Sequence, residues 1–416
     1  MNLSSKISLR AGLLTPLAAS LALGLSACGG GGGGGGVPTG TANFALTDAP
    51  VCSGFQSVVV TVDAIELIGT DGTHSLNLPQ PQQVTLTNLV NGASLSLGDV
   101  TVPAGTYQQL RLILASNQGN SPNPANYVLL SGSNTPQPLS TPSAQQSGYK
   151  INGQFTVTAD GQVNLTVDFN ACRSIVVAGN SGQYILKPVL NLTDDDESGS
   201  ITGYLPAAEA GAVVMAEDSS GHILKTTVAM AASGGAPASF TLAPLPASST
   251  GYNVVIAPPA PSTQTIPSPN FAPDVVLGVP VSAGQVTALS TSASPLPVVA
   301  TTADAYYSGT IDLPQPADTL VVAQEALGAS STISIAQANG VETSSSTTMD
   351  YSLELPTAAP SVATYSTTGL SFAQVSPTPT ITINAYDSAG AYGTTQATTG
   401  SITLSGSSDD TFTMDH

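Results

Sequence analysis

The chain has 416 residues, of which 26 are Asp or Glu and only seven are Lys or Arg, so its formal net charge is −19. This balance argues against a nucleic-acid partner, because nucleic-acid-binding proteins need basic patches that displace the counterions of phosphates. The length predicts two to four domains. Abundant Val and Thr, together with 41 Gly and 31 Pro, predict an all-β fold with little helix after residue 40.

The first 27 residues have the pattern of an export signal. Lys6 and Arg10 precede an apolar run over residues 11–25, which is shorter than the ~20 residues of a spanning helix. The run ends in Leu-Ser-Ala-Cys at 25–28, which resembles the lipobox of bacterial lipoproteins. This resemblance implies that residues 1–27 are cleaved off and that Cys28 carries lipid.

Gly29 follows the cysteine, and a resembling lipoprotein without Asp at this position is passed to the outer membrane of a double-membrane bacterium. We therefore expect a cell-envelope protein anchored by lipid. Residues 28–40 contain eight consecutive glycines and form the tether, a flexible coil with a reach of about 15 Å.

The segment 41–193 reads as the first folded domain. Residues 57–68 form a long strand in which the apolar residues change face near Ala64, which predicts a bulge. Pro103-Ala104-Gly105 is a turn before another strand. Asp160-Gly161 lies between the alternating runs 155–158 and 163–169, and this pattern predicts a hairpin.

Several blocks of this segment, taken in order, resemble the domain of unknown function 4382 family of bacterial lipoproteins. The resemblance covers about residues 40–193 and implies a fold and a location, but no activity. The blocks are Phe44 to Pro50, Val58 to Leu67, Pro103 to Tyr107 with Leu110 to Leu112, Gly148 to Ile151, Asp168 to Asn170 with Arg173 to Val176, and Tyr184 to Val189.

Asp168 is a candidate ligand-binding residue, together with Arg173 and Lys187. Alternation places its carboxylate on the face opposite Val163 and Val167, and the two cations are near it in sequence. A structural ion pair or a turn cap is the alternative role for Asp168.

Cys52 and Cys172 are predicted to form a disulfide. Cys28 is committed to lipid, so one pair remains in a chain that is exported to an oxidising compartment. Zinc binding is the alternative, but the further ligands that zinc requires are not clustered with these cysteines.

From residue 199 the strand and turn patterns resemble carboxypeptidase-regulatory-like, transthyretin-type β-sandwich domains. Leu205-Pro206 and Val213-Val214 recur 108 positions later as Leu313-Pro314 and Val321-Val322. We therefore expect tandem β-sandwich domains, one over 199–300 and a related one over 301–416 that ends in an acidic tail.

The acidic run 194–197 is either a solvated linker or a cation site that bridges two domains, although it lacks the spaced pattern of a calcium loop. Tyr107, Tyr149 and Tyr184 either pack in the core or line a sugar-binding face.

Catalytic patterns are absent from the sequence. His74, His222 and His416 lie in no recognisable motif, and there is neither a Gly-x-Ser-x-Gly elbow nor a His-Glu-x-x-His pair. We expect no enzymatic activity, no cofactor and no metal. The leading hypothesis is a non-enzymatic envelope lipoprotein with a structural or interaction role. A glycan- or cation-binding module is the alternative, and a hydrolase is the third hypothesis.

Overall fold

The computed structural model describes residues 37–48, 55–118, 123–178, 182–258, 271–299, 304–312, 319–327, 331–342, 348–356, 358–375, 380–387, 400–403 and 408–413. Strands predominate in these ranges, which confirms the all-β prediction. Besides the strands and one helical turn, there are short 3-10 turns at Leu86–Asn88, Asp195–Glu197, Ala207–Glu209 and Ser233–Gly235.

Residues 39–194 form the first domain. Its elements are β1 (Thr39–Asp48), β2 (Phe55–Gly69), β3 (Gly72–Thr85), β4 (Leu95–Pro103), β5 (Gly105–Leu114), β6 (Tyr127–Leu130), β7 (Gln137–Ser140), β8 (Tyr149–Val157), β9 (Gln162–Phe169), α1 (Ala171–Ser174), β10 (Ile175–Ala178), β11 (Gln183–Leu186) and β12 (Leu190–Asp194). One sheet has the order β12-β9-β1-β4, and the larger one has the order β10-β11-β7-β6-β2-β5-β8 with β3 also on β2. Their apolar faces share one core that contains only residues of this domain.

The long strand β2 organises the larger sheet. Its first part pairs with β6 and its second part with β5, and the register shifts between Val62 and Ala64. The predicted bulge near Ala64 is therefore confirmed. The predicted turn at 103–105 is also confirmed, because β4 ends at Pro103 and β5 begins at Gly105.

The predicted hairpin across Asp160-Gly161 is wrong. The turn exists, but β8 pairs with β5 in one sheet, whereas β9 pairs in parallel with β1 in the other. Asp160 N donates to Thr39 O at 2.8 Å, and Thr41 N donates to Gly161 O at 2.9 Å. These bonds hold the turn against β1, so the chain passes from one layer to the other, and both apolar runs contribute to the same core.

Two repeats with the same strand pairing follow. Repeat A covers residues 198–288 and repeat B covers residues 304–413. Repeat A contains β13 (Ser198–Leu205), β14 (Val213–Glu217), β15 (Ile223–Val228), β16 (Ala238–Pro246), β17 (Ser248–Ala257), β18 (Asp274–Val281) and β19 (Val286–Ala288). Repeat B contains β20 (Asp304–Asp312), β21 (Thr319–Ala326), β22 (Thr332–Asn339), β23 (Val341–Glu342), β24 (Thr348–Pro356), β25 (Ser361–Thr364), β26 (Ala373–Gln374), β27 (Thr380–Asp387), β28 (Gly400–Thr403) and β29 (Ser408–Thr413).

In repeat A, β13 pairs antiparallel with β16 and parallel with β19, and β14 lies between β15 and β17. In repeat B, β20 pairs antiparallel with β24 and parallel with β29, and β21 lies between β22 and β27. The equivalent strands β14 and β21 both contain the Val-Val pairs that recur in the sequence. The arrangement of both repeats agrees with the expected tandem β-sandwich architecture.

The sequence-based division at residue 300 does not anticipate how the repeats are joined. Strand β25 lies within repeat B in sequence, but it pairs in parallel with β18 of repeat A, with Asp274 opposite Ser361. Strand β26 extends the same sheet. A core of apolar residues also joins the repeats, including Met215 and Val255 of repeat A with Val321 and Ile383 of repeat B. Repeat A thus completes its sheet with a segment of repeat B.

Candidate functional site

Asp168 lies in an ion pair between the first domain and repeat A. Its Oδ1 atom is 2.8 Å from Nζ of Lys225 on β15, and the two side chains are only 12% and 5% exposed. Alternation along β9 points Asp168 away from the core of the first domain, as predicted, and repeat A covers that face. Asp168 therefore has the structural ion-pair role that was one of its two predicted roles.

The partner of Asp168 is neither of the cations that the sequence analysis proposed. Arg173 lies in α1, where its backbone N donates to Oδ1 of Asn170 at 3.0 Å, and Lys187 is exposed after β11. A ligand-binding role for Asp168, Arg173 and Lys187 stays a prediction. Sequence reasoning missed Lys225, although it is the last Lys or Arg of the chain and is followed by 191 residues without a cation (416 − 225).

A second contact between the same two domains is made by Asn91, which follows the 3-10 turn Leu86–Asn88. Its φ is 57°, a conformation that Asn tolerates better than most residues. Asn91 N donates to Oγ1 of Thr227 at 3.0 Å, its Nδ2 donates to Ser239 O at 3.3 Å, and its Oδ1 accepts from Thr241 N. One asparagine thus binds two strands of repeat A and helps fix the orientation of the first domain.

The acidic run 194–197 is a folded connection between β12 and β13. Asp194 caps the 3-10 turn through Asp196 N at 3.0 Å, Asp195 Oδ2 accepts from Thr166 at 2.8 Å, and Asp196 Oδ1 accepts from Asn164 at 3.0 Å. Burial raises the pKa of Asp194 and Asp195. The carboxylates of residues 194–196 therefore help hold the junction together, while Asp196 and Glu197 are exposed to solvent, as a solvated linker predicts. No three His, Cys, Asp or Glu side chains come together as a metal site within the described ranges.

Two of the three histidines lie beside an aspartate that precedes them by three or four residues, His74 at the start of β3 and His222 in the turn between β14 and β15. His74 Nε2 is 3.1 Å from Asp71 Oδ2, and His222 Nδ1 is 2.9 Å from Asp218 Oδ2. His416 lies outside the described residues. Tyr107 packs in the core, where its ring stacks on Phe155 at 5.3 Å, and its hydroxyl donates to Pro103 O at 2.8 Å. Tyr149 is also in this core, and Tyr184 packs against it.

The first domain has a groove on its larger sheet, near the middle of β2. The cavity has a volume of about 530 Å³. Its lining consists of hydroxyl and amide side chains, one aromatic ring and small apolar surfaces. The lining residues are Thr61, Gln83, Ser116, Gln118, Asn123, Pro124, Ala125, Tyr127 and Pro136.

The floor of the groove is held by the buried side chain of Asn126. Its Oδ1 accepts from Thr61 N at 2.9 Å, and its Nδ2 donates to Ala115 O at 2.7 Å. Asn117 Oδ1 accepts from Asn126 N at 2.7 Å, while Asn117 Nδ2 donates to the carbonyls of Asn126 and Leu139 at 3.0 and 3.1 Å. The amides of Asn117 and Asn126 thus bind each other, strands β2 and β7, and Ala115, which follows β5.

Buried carboxyl groups form a separate feature in the repeats. Glu217 is fully buried, which raises its pKa well above the ordinary value, and its Oε2 accepts from Ser334 N of repeat B at 2.9 Å. Burial also raises the pKa of Glu325, which occupies the equivalent position (217 + 108 = 325), to about 7. Burial, and then the charge of Glu209, raises the pKa of Asp274 to about 8.

Strands β1 to β11 and the groove lie within residues that match a known family model. Residues 39–188 match the family "Domain of unknown function (DUF4382)". The match confirms the resemblance to this domain, whereas the lipoprotein location that the resemblance implies stays a prediction. The groove and Asp168 lie within the DUF4382 domain, whereas Lys225 lies outside it.

Comparisons of the whole chain with curated proteins and solved structures identify no further relationship that supports a function. No curated protein matches the sequence. One matching solved structure is the Bacillus anthracis TIE protein, at 10% identity and a TM-score of 0.15, with 91% of this chain and 51% of that chain covered. The chain thus spans about half the length of that protein, and at this TM-score the similarity supports no argument. No family match supports the carboxypeptidase-regulatory-like resemblance of the repeats, which stays a prediction.

Proposed function

We propose that the chain is a lipid-anchored protein of the cell envelope, in the outer membrane of a double-membrane bacterium, with a non-enzymatic structural or interaction role. Its partners are the membrane, through the lipid on Cys28, and an envelope glycan or protein. The signal pattern of residues 1–27 and the lipobox support the anchor, and both lie outside the described residues. Within the described ranges, no helix reaches the length and apolar character that crossing a bilayer requires.

One observation carries the non-enzymatic part of the proposal. The polar side chains that are best suited to chemistry in the sequence are engaged in holding the fold together. Asp168 pairs with Lys225 across a domain junction, and the carboxylates of residues 194–196 hold the next junction. His74 and His222 each lie beside an aspartate that is three or four residues earlier in the chain. A general base for hydrolysis needs a nucleophile within hydrogen-bond reach, and these groups instead contact structural partners.

Loss of the lipid anchor is the test of the proposal. The Cys28→Ala substitution removes the thiol that accepts the acyl group, so the variant is expected to accumulate as an unprocessed precursor. It should take up no labelled palmitate. The uncleaved signal should still hold the precursor in the membrane fraction, and removal of the signal should release the protein from that fraction. Palmitate labelling followed by fractionation of the two membranes measures both effects.

The matched control for this experiment is Gln108→Ala, an exposed substitution on β5 that is far from the lipobox. This variant should be labelled and sorted as the natural protein is. Equal labelling of Cys28→Ala and Gln108→Ala would refute the anchor.

The Cys52–Cys172 disulfide stays a prediction, because Cys52 and the side chain of Cys172 lie outside the described residues. The neighbouring chain supports it: Asp48 Oδ1 accepts from Ala171 N at 2.8 Å, which brings the end of β1 to the start of α1. Such a bridge closes a loop of about 120 residues and would stabilise the fold by roughly 4–5 kcal/mol. Peptide mapping without reductant is expected to recover the linked pair, and two free thiols that react with an alkylating agent would contradict it.

A further inference from the structure

The groove of the DUF4382 domain has the chemistry of a site for an uncharged, hydroxyl-rich ligand. Gln83, Gln118 and Asn123 contribute amides, and Ser116 and Thr61 contribute hydroxyls. Amides and hydroxyls both donate and accept hydrogen bonds, as sugar hydroxyls do. A ligand whose polar groups also donate and accept therefore matches this lining.

The charges around the groove narrow the ligand class. None of the nine lining residues is charged, although the whole protein has a net charge of −19. A phosphate or carboxylate ligand would find no cation in the lining, and a basic ligand would find no carboxylate. Burying a charged group without a counter-charge is costly, so the lining favours a neutral ligand.

The groove also offers flat apolar surfaces. Tyr127 on β6 is half-buried, with Pro124 and Pro136 as further lining residues. An aromatic ring with a polar end presents an apolar face and a hydrogen-bonding edge at a low cost in conformational entropy. Sugars have apolar C–H faces beside their hydroxyls. The ring face of Tyr127 can stack on such a C–H face, and its hydroxyl can hydrogen-bond to the sugar hydroxyls. The volume of about 530 Å³ lies within the ~300–1,000 Å³ typical of small-molecule sites.

The groove is already formed in the protein without a ligand. Thr61 Oγ1 donates to Ala125 O at 2.6 Å. The buried side chain of Asn126 accepts a hydrogen bond from Thr61 N of β2 and donates one to Ala115 O. Buried polar networks whose members are satisfied make a site rigid, and a rigid site pays less ordering entropy on binding. The Asn126 network, which has no bond to a titratable group in the described residues, serves to shape this groove.

We propose that the groove lined by β2, β3, β6 and the described residues 116–118 and 123–125 binds an uncharged carbohydrate. This inference deepens the interaction role under the proposed function, but it does not require the lipid anchor. Failure of palmitate labelling would leave it intact, and absence of carbohydrate binding would leave the anchor intact.

An array of neutral, sialylated and sulfated oligosaccharides tests the proposal. The probe is the full chain, solubilised in a detergent without a sugar head group, and titration calorimetry then measures the affinity for the best neutral oligosaccharide. The protein is expected to bind neutral oligosaccharides. Tyr127→Ala should weaken this binding at least tenfold, because the stacking surface is lost, whereas Tyr127→Phe should keep most of it.

Two exposed amides provide variants that do not disturb the core. Gln83→Ala and Gln118→Ala should each weaken binding by about five- to tenfold, which is the loss of one or two hydrogen bonds. Gln108→Ala, on the exposed face of β5 and outside the groove, is the matched control and should bind as the natural protein does. Binding to no neutral oligosaccharide, binding only to charged ones, or equal binding by Gln118→Ala, Gln83→Ala and Gln108→Ala would overturn the proposal.

Discussion

Replacing Lys225 with Met is expected to lower the free energy of unfolding by about 3–5 kcal/mol. The substitution removes the ammonium that lies 2.8 Å from Asp168 Oδ1, in a junction where both side chains are almost fully buried. The carboxylate of Asp168 would then remain buried without a counter-charge, which is costly. Urea unfolding followed by circular dichroism measures the loss.

The double variant Asp168→Asn with Lys225→Met should recover at least half of this loss, because it leaves no buried charge. Lys150→Met is the matched control, since Lys150 is exposed on β8. The buried ion pair would not stabilise the junction if Lys225→Met and Lys150→Met unfolded at the same urea concentration.

The protein is expected to be more stable at pH 5 than at pH 8. Asp274 is fully buried, and its pKa is raised to about 8 by burial and by the charge of Glu209. Between the ordinary carboxyl pKa and this raised value, the folded protein keeps a proton that the unfolded chain has lost. The free energy of unfolding therefore falls by about 1.4 kcal/mol per pH unit for such a group, and it levels off above the raised pKa.

Glu217 and Glu325 act in the same direction, because their pKa values are also raised by burial. The measurement is urea unfolding at pH 5, 6.5 and 8. Asp274→Asn should raise the stability at pH 8 by about 3–5 kcal/mol and should make the pH dependence shallower.

Asp63→Asn, at an exposed position in the bulge of β2, is the control for the pH experiment. It should leave the slope of stability against pH unchanged. If Asp274→Asn kept the full slope of the natural protein, Asp274 would not be a source of the pH dependence.

Local patterns in the sequence were enough to locate many of the strands. The change of apolar face near Ala64 has its origin in the chain itself, because a bulge must shift the alternation of side chains. The 108-residue recurrence likewise indicates repeated units, since the equivalent strands β14 and β21 carry the same Val-Val pair. These predictions depend on residues within one strand or one repeat.

The Asp160-Gly161 turn shows where local reasoning fails. An Asp-Gly pair between alternating runs allows a tight turn, but it does not decide whether the two strands pair with each other. Here β9 pairs with β1 and not with β8. Thr39 and Thr41 of β1 also form hydrogen bonds with the turn itself, which stabilises this pairing. The pairing of a strand is a property of all strands near it, and single-sequence patterns contain little information about that competition.

The candidate sites depend on contacts between distant residues. Asn126 binds Thr61 across 65 positions, and neither residue stands in a motif that marks a groove. Alternation along β9 identifies Asp168 as a carboxylate that faces away from the core, but its partner Lys225 lies in repeat A and is not one of the cations near it in sequence. The sequence does contain one signal for this pair, which is the scarcity of cations. Lys225 is the last Lys or Arg of the chain, so it is a candidate partner for a buried carboxylate even though it is distant in sequence.

The strand that repeat A takes from repeat B imposes an order of events on folding. As the chain is synthesised from its amino end, β18 is complete at residue 281, but its neighbour β25 does not exist until residue 364 has been added. Until then one edge of β18 has unpaired backbone groups, and open strand edges readily pair with other chains. The sheet of repeat A is therefore complete only after much of repeat B has been synthesised. Until then, both repeats are exposed to aggregation through the open edge of β18.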